Sequence, residues 1–102
     1  MNKTAIVTGG SRGLGKAMVK KLASMGYNIV VNFVSDRSRE GTLALIDEIE
    51  KNYKVKGLAI QGDVSDYDTC KRLIEETVKT FGSKIDVLVN NAGIDNNKSF
   101  LK

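Results

Sequence analysis

Histidine and proline are absent from the 102 residues, and cysteine occurs once, at Cys70. Without imidazoles there is no histidine-based zinc site and no Ser-His or Cys-His pair for nucleophilic catalysis. One cysteine closes no internal disulfide. No apolar stretch approaches the roughly 18 residues of a membrane span. Met1-Asn2-Lys3 runs directly into an apolar segment rather than a signal peptide, so a cytoplasmic protein is expected. No proline, linker, repeat or low-complexity segment divides the chain, and its length allows one domain with a modest core.

Sixteen Lys and Arg outnumber twelve Asp and Glu, a net charge of +4. These cations are spread along helical patterns instead of clustering, which describes solvated helix faces better than a nucleic-acid surface. Neither nucleic acid nor membrane is expected as a partner. Cys70 shares a helical stripe with Leu73, Ile74, Thr77 and Phe81 and is expected in the core rather than as a reactive thiol.

Four short apolar runs, at 4–8, 28–34, 57–61 and 85–89, alternate with three longer helical patterns. The runs lack the polar/apolar alternation of half-exposed strands, so strands covered on both faces are expected. The helical stripes are Leu14, Met18, Leu22 and Met25, then Leu43, Ile46, Ile49 and Tyr53, then Cys70, Leu73, Thr77 and Phe81. Gly26 and Gly82 follow two of the helices, and Ser35 or Asp36 and Asp66 are candidate N-caps. The order βαβαβαβ with right-handed crossovers predicts a Rossmann-type doubly wound parallel α/β sheet with strand order 3-2-1-4. Chain direction reverses between the first and fourth strands, and open α/β sheets bind ligands in the crevice at that reversal.

Two turns converge there. Thr8 to Gly15, TGGSRGLG, joins the first strand to the first helix, and Asn90-Asn91-Ala92-Gly93 leaves the fourth strand. Glycines let a backbone approach a phosphate closely, and the helix start points free N–H groups and its positive dipole end at an anion. The general dinucleotide pattern G-x-G-x-x-G fails here, because Met18 stands where its last glycine belongs. A P-loop reading, Gly10 through Ala17, lacks the final Ser or Thr hydroxyl that would ligate Mg²⁺. An ATP-binding P-loop and a ligand-free turn stay open as weaker readings, and no metal site is expected.

Thr-Gly-x-x-x-Gly-x-Gly followed some 75 residues later by Asn-Asn-Ala-Gly resembles the short-chain dehydrogenase/reductase family. The likeness runs the length of the chain, since Gly62-Asp63-Val64 and Asp86-Val87-Leu88-Val89 fit the family pattern too, closest in character to reductases of 3-oxoacyl thioesters. The resemblance implies that Gly9, Gly13 and Gly15, with Thr8 and Leu14, shape a pyrophosphate turn. It implies that Asp63 and Val64 flank an adenine, and that Asn90, Asn91, Ala92 and Gly93 brace the sheet beside the cofactor.

An NAD-selective site carries Asp or Glu at the end of strand two for the ribose 2′-hydroxyl. Here that strand ends Val31-Asn32-Phe33-Val34, with no carboxylate before Asp36. Asn32 is counted at the cofactor's ribose end, and Ser11 and Arg12 stand where the resemblance puts 2′-phosphate contacts; Arg37 stands there too but reads better as a solvated loop residue. NADP(H) is the favoured cofactor; Asp36 leaves NAD(H) open.

The resemblance also implies a catalytic Asn, Ser and Tyr-x-x-x-Lys beyond residue 102. Tyr67-x-x-x-Lys71 matches that spacing by coincidence, because it opens the helix between strands three and four. The chain reads as one NADP-binding domain, 1–102, the cofactor-binding front of a carbonyl or 3-oxoacyl reductase. A non-catalytic nucleotide-binding or assembly module is the alternative. A fourth strand at an apolar sheet edge predicts self-association, and so a homo-oligomer.

Overall fold

A computed structural model describes residues 2–11 and 13–91. Met1, Arg12, Ala92 and Gly93, all named above, lie outside the described residues. The elements are β1 (Thr4–Thr8), α1 (Gly13–Ser24), β2 (Asn28–Phe33), a 3₁₀ turn (Asp36–Ser38), α2 (Arg39–Tyr53), β3 (Gly57–Gln61), α3 (Tyr67–Phe81) and β4 (Val87–Asn90). All pairings are parallel and the strand order is β3-β2-β1-β4, the expected doubly wound arrangement.

Rows of β-branched residues explain why these segments extend. Successive side chains of a strand point to opposite faces, so one strand feeds two cores. Ala5, Val7, Ile29 and Val31 point to the face covered by α1 and α2, where they pack with Val19, Ala23, Leu45, Ile46 and Ile49. Ile6, Val30 and Ile60 point to the other face and meet Leu73 of α3. Both faces of β1 and β2 are thereby closed, as expected. The outer strands are not: β3 is mostly half-buried, and Leu88 at the centre of β4 is 60% exposed. One helix cannot cover a face that is four strands wide.

Other expectations need adjustment. The buried face of α1 is Gly15, Val19 and Ala23, while Leu14 and Met25 from the expected stripe face solvent. The glycine turn sets this phase, because Gly15 is seated against Gly9 and Gly10. In α2 the buried face is Thr42, Leu45, Ile46 and Ile49, leaving Leu43 and Tyr53 exposed. Thr69, Leu73 and Thr77 form the buried face of α3, leaving Cys70 only half-buried beside it, its Sγ donating to the Val64 carbonyl at 2.9 Å. Strand four begins at Val87, not residue 85, and strand two ends at Phe33, not Val34. Ser35 and Asp66 occupy N-cap positions without a side-chain cap bond: Ser35 Oγ meets Ser38 Oγ, and Asp66 Oδ2 accepts from Thr69 Oγ1. Among the described residues no helix is long and apolar enough to cross a membrane.

Asp86 fastens the switch between the two halves of the sheet. Its N–H donates to the Thr4 carbonyl and its Oδ2 accepts the Thr4 N–H, both at 2.9 Å. Asp86→Ala orphans the amide of buried Thr4 and is expected to lower unfolding stability by about 1–3 kcal/mol. Asp86→Asn keeps an acceptor and should recover most of that loss in chemical denaturation.

Candidate functional site

At the carboxyl ends of β1 and β4 the register pairs Thr8 with Asn90. Thr8 Oγ1 donates toward Asn90 Oδ1 at 3.2 Å and the Val89 carbonyl at 3.3 Å. One residue on, Asn91 Nδ2 donates to the Gly9 carbonyl at 3.0 Å, so the two turns named from sequence meet through a direct hydrogen bond.

The glycines of TGGSRGLG answer to two different constraints. Gly9 and Gly13 have φ of 61° and 60°, the left-handed region that costs other residues energy. Gly15 is required for space: a Cβ there would lie 2.3 Å from the Gly9 carbonyl oxygen and 2.7 Å from Asn91 Nδ2. A Cβ at Gly13 would meet nothing within 4 Å, so the backbone in front of the helix start is open. The first turn of α1 contains no carboxylate to offset its positive dipole end. Thr8, Gly9 and Ser11 lead toward this helix start and Gly13, Leu14 and Gly15 open it, with Leu14 projecting to solvent at 62% exposure.

Across the crevice, β3 ends at Gln61 and is followed by Gly62, Asp63 and Val64. Val64 is half-buried against Ile6, Val30, Ile60 and Leu73. Asp63 is exposed, and its Oδ1 accepts from the Ser65 N–H at 2.9 Å and the Ser65 Oγ at 2.8 Å. The backbone bond, and then the hydroxyl bond, hold its carboxyl below the usual value of 3.8. Asp63 therefore presents an ionised acceptor at the end of β3.

Asn32 does not face the crevice as expected. It is fully buried, and its carboxamide is engaged by Gly9 N, Ile60 O and Gly62 O. A strand position closed on both faces turns it inward. Arg37 is exposed and, among the described residues, makes no hydrogen bond or ion pair. Arg39, which the sequence reading did not single out, is the guanidinium fixed near the end of β2. It lies 5.6 Å from the Phe33 ring centroid, bonds Gln61 Oε1 and sits 3.9 Å from Asp36. An aromatic closing the strand and an acid three residues before the Arg were the available signals. Tyr67 opens α3 and is 77% exposed. Among the described residues no group of three or more His, Cys, Asp or Glu could hold a metal.

A doubly wound parallel sheet with an anion-ready glycine turn at its reversal point defines an α/β fold of the dinucleotide-binding type. The chain belongs to the short-chain dehydrogenase family, whose model matches residues 3–102. The 3-oxoacyl-(acyl-carrier-protein) reductase FabG of Staphylococcus aureus strain Mu50 is 49% identical over 94 residues, which are 92% of this chain and 37% of that protein. The L-rhamnose 1-dehydrogenase (NAD(P)(+)) of Azotobacter vinelandii is 42% identical over 102 residues, 99% of this chain and 39% of the relative. Among solved structures, a blue fluorescent protein from a metagenomic library in complex with NADPH superposes with a TM-score of 0.82 at 41% identity, covering 89% of this chain and 36% of that one. L-Sorbose reductase from Gluconobacter frateurii, complexed with NADPH and L-sorbose, gives a TM-score of 0.81 at 28% identity over 90% of this chain and 34% of the other. The chain spans little more than a third of the length of these relatives.

Two substitutions separate the constraints on the turn. Gly15→Ala forces the Gly9 carbonyl and Asn91 apart and should destabilise the fold by about 1–3 kcal/mol, whereas Gly13→Asn, whose new side chain tolerates the left-handed region, should stay within about 1 kcal/mol in urea melts. In a carboxyl NMR titration Asp63 should titrate below 3.8. Because its folded value is depressed, its contribution to stability is present above 3.8 and is lost as pH falls through the folded value. Ser65→Ala should move the midpoint only partway back, since the Ser65 N–H remains.

Proposed function

We propose that this chain is the dinucleotide-binding part of an NADP(H)-dependent carbonyl reductase or alcohol dehydrogenase. The observation that carries the reading is the junction of the glycine turn with the β4 turn through Asn91 and the Gly9 carbonyl. That bond holds an unneutralised helix start open at the sheet's reversal point. The residues suit the group: Gly13 leaves room where a pyrophosphate would approach, and Asp63 offers an ionised acceptor to an exocyclic amino group.

Bound there, a nicotinamide cofactor supplies or accepts the hydride. The chain's own residues bind and orient. The amides of the turn and of the first helical turn hold the pyrophosphate, Asn90 and Asn91 with Ala92 and Gly93 brace the crevice wall, and Val64 offers an apolar edge to the adenine. The preference for the 2′-phosphate form rests on Arg12 and Ser11 in the turn and on a β2 end without a carboxylate. The first acid beyond it, Asp36, is directed to Gln61 Nε2 at 2.9 Å. Ala17 offers no hydroxyl for Mg²⁺, which argues against an ATP-binding P-loop. A small carbonyl or hydroxyl compound is the substrate class of the whole protein, with 3-oxoacyl thioesters and sugars suggested by the relatives' names. The exposed Leu88 on β4 supports contact with further polypeptide along that edge, including a second copy.

Calorimetric titration of the chain with NADPH, NADH and Mg-ATP tests the reading, which predicts preference in that order; no binding of either dinucleotide by a folded chain overturns it. Arg12→Ala should weaken NADPH binding roughly ten- to a hundredfold, the loss of one charge-assisted phosphate contact, and NADH binding far less. Equal losses would remove Arg12 from the selectivity argument.

A further inference from the structure

Asn32 is a fully buried polar residue in the otherwise apolar run Ile29-Val30-Val31-Asn32-Phe33 of β2. Burying a carboxamide is unfavourable unless its donors and acceptor are matched, and a β-branched apolar residue would suit a central strand better. Its hydrogen bonds supply the reason for an asparagine here. Oδ1 accepts from the Gly9 N–H at 3.4 Å, while Nδ2 donates to the Ile60 carbonyl at 3.2 Å and the Gly62 carbonyl at 3.0 Å. The main-chain carbonyl of Asn32 also accepts the Gly10 N–H at 3.2 Å. One residue thus grips the phosphate-facing turn after β1 and the segment after β3, two loops that do not pair with each other.

The grip falls where the strand ladder ends. Gly62 N–H to Phe33 O, at 2.9 Å, is the last main-chain bond between β2 and the segment following β3. Asn32 adds a side-chain rung that fixes the Gly62 carbonyl. Gly62 is itself tightly held, with φ of 153° and Thr69 Cγ2 2.6 Å from where a Cβ would stand. The next residue is Asp63. Its Oδ1 is taken by Ser65, and Oδ2 has no partner among the described residues.

We infer that Asn32 is a positioning residue which fixes the separation between the pyrophosphate turn at Gly9 and the adenine-facing Asp63, presetting the crevice to the length of the cofactor's adenosine diphosphate half. The inference rests on the dinucleotide reading above. A preset separation strengthens binding because neither loop must be ordered when the ligand arrives.

The test begins with the unaltered chain and inorganic pyrophosphate, which reproduces the cofactor's phosphates without its adenosine. In amide NMR spectra pyrophosphate should shift not only residues 9–15 but also the Asn32 side-chain amide and the backbone signals of Gly62 and Asp63. In Asn32→Ser the shifts at 62 and 63 should vanish while those in the turn persist. In parallel, Asp63→Ala should weaken NADPH binding at least fivefold in the unaltered chain and less than twofold in the Asn32→Ser background, a coupling that a purely structural role would not produce. Pyrophosphate shifts confined to 9–15, or additive effects on NADPH, overturn the inference while leaving dinucleotide binding in place. Should Asn32→Ser fail to fold, the pyrophosphate titration of the unaltered chain decides alone. A chain that responds to neither NADPH nor pyrophosphate overturns the dinucleotide reading and this inference with it.

Discussion

The Gly9 residue is held from both sides by side-chain amides: its N–H by Asn32 Oδ1 and its carbonyl by Asn91 Nδ2. Much of the crevice depends on that clamp. A strand at the centre of a doubly covered sheet ends among buried groups, and backbone polar atoms there need partners that water cannot supply. Neighbouring strands satisfy β1 up to Thr8. Beyond it the chain must leave the ladder, turn and begin a helix within a few residues, and two asparagines take over the ladder's work. One comes from β2 and the other follows β4, so the turn is anchored to both strands that flank β1.

The same clamp explains why the turn tolerates no bulk at Gly15. The helix must start close enough to the turn for Asn91 to reach the Gly9 carbonyl, and a Cβ would stand inside that contact. The phase of α1 follows. With Gly15 against the turn, Val19 and Ala23 fall on the sheet, and Val19 packs at the site of Gly10 together with Val7 and Val31.

This is also where the sequence could and could not be read. Strand order and the meeting of the two turns were legible, because they follow from element order, crossover handedness and two motifs at a diagnostic spacing. The α1 stripe was not. Leu14 and Met25 are among the large apolar residues of that segment, but the buried face starts from Gly15, a residue carrying no hydrophobic signal. Asn32 was placed at the right end of the right strand with the wrong orientation. An asparagine within an apolar run does not declare whether it faces a ligand or ties down two loops, and only the burial of both sheet faces decides that. Arg39 was missed because its partners, Phe33, Gln61 and Asp36, lie on different elements.

The two ends of the crevice are supported by different forces. Behind the glycine turn stands the larger core, built from α1, α2 and one face of β1 and β2, with three valine side chains against Gly10. Behind Asp63 stands a smaller cluster, in which Leu73 of α3 joins buried Ile6, Val30 and Ile60. Apolar packing is non-directional and fixes the first end by shape. The second end lies past an edge strand whose residues are mostly half-buried, so it depends on directional bonds instead. Asn32 reaches Gly62, Ser65 orients Asp63, and Arg72 from α3 bonds the Gln61 carbonyl. Polar side chains recur at this end of the sheet because packing alone cannot hold the last residues of β3 in register with the turn across the crevice.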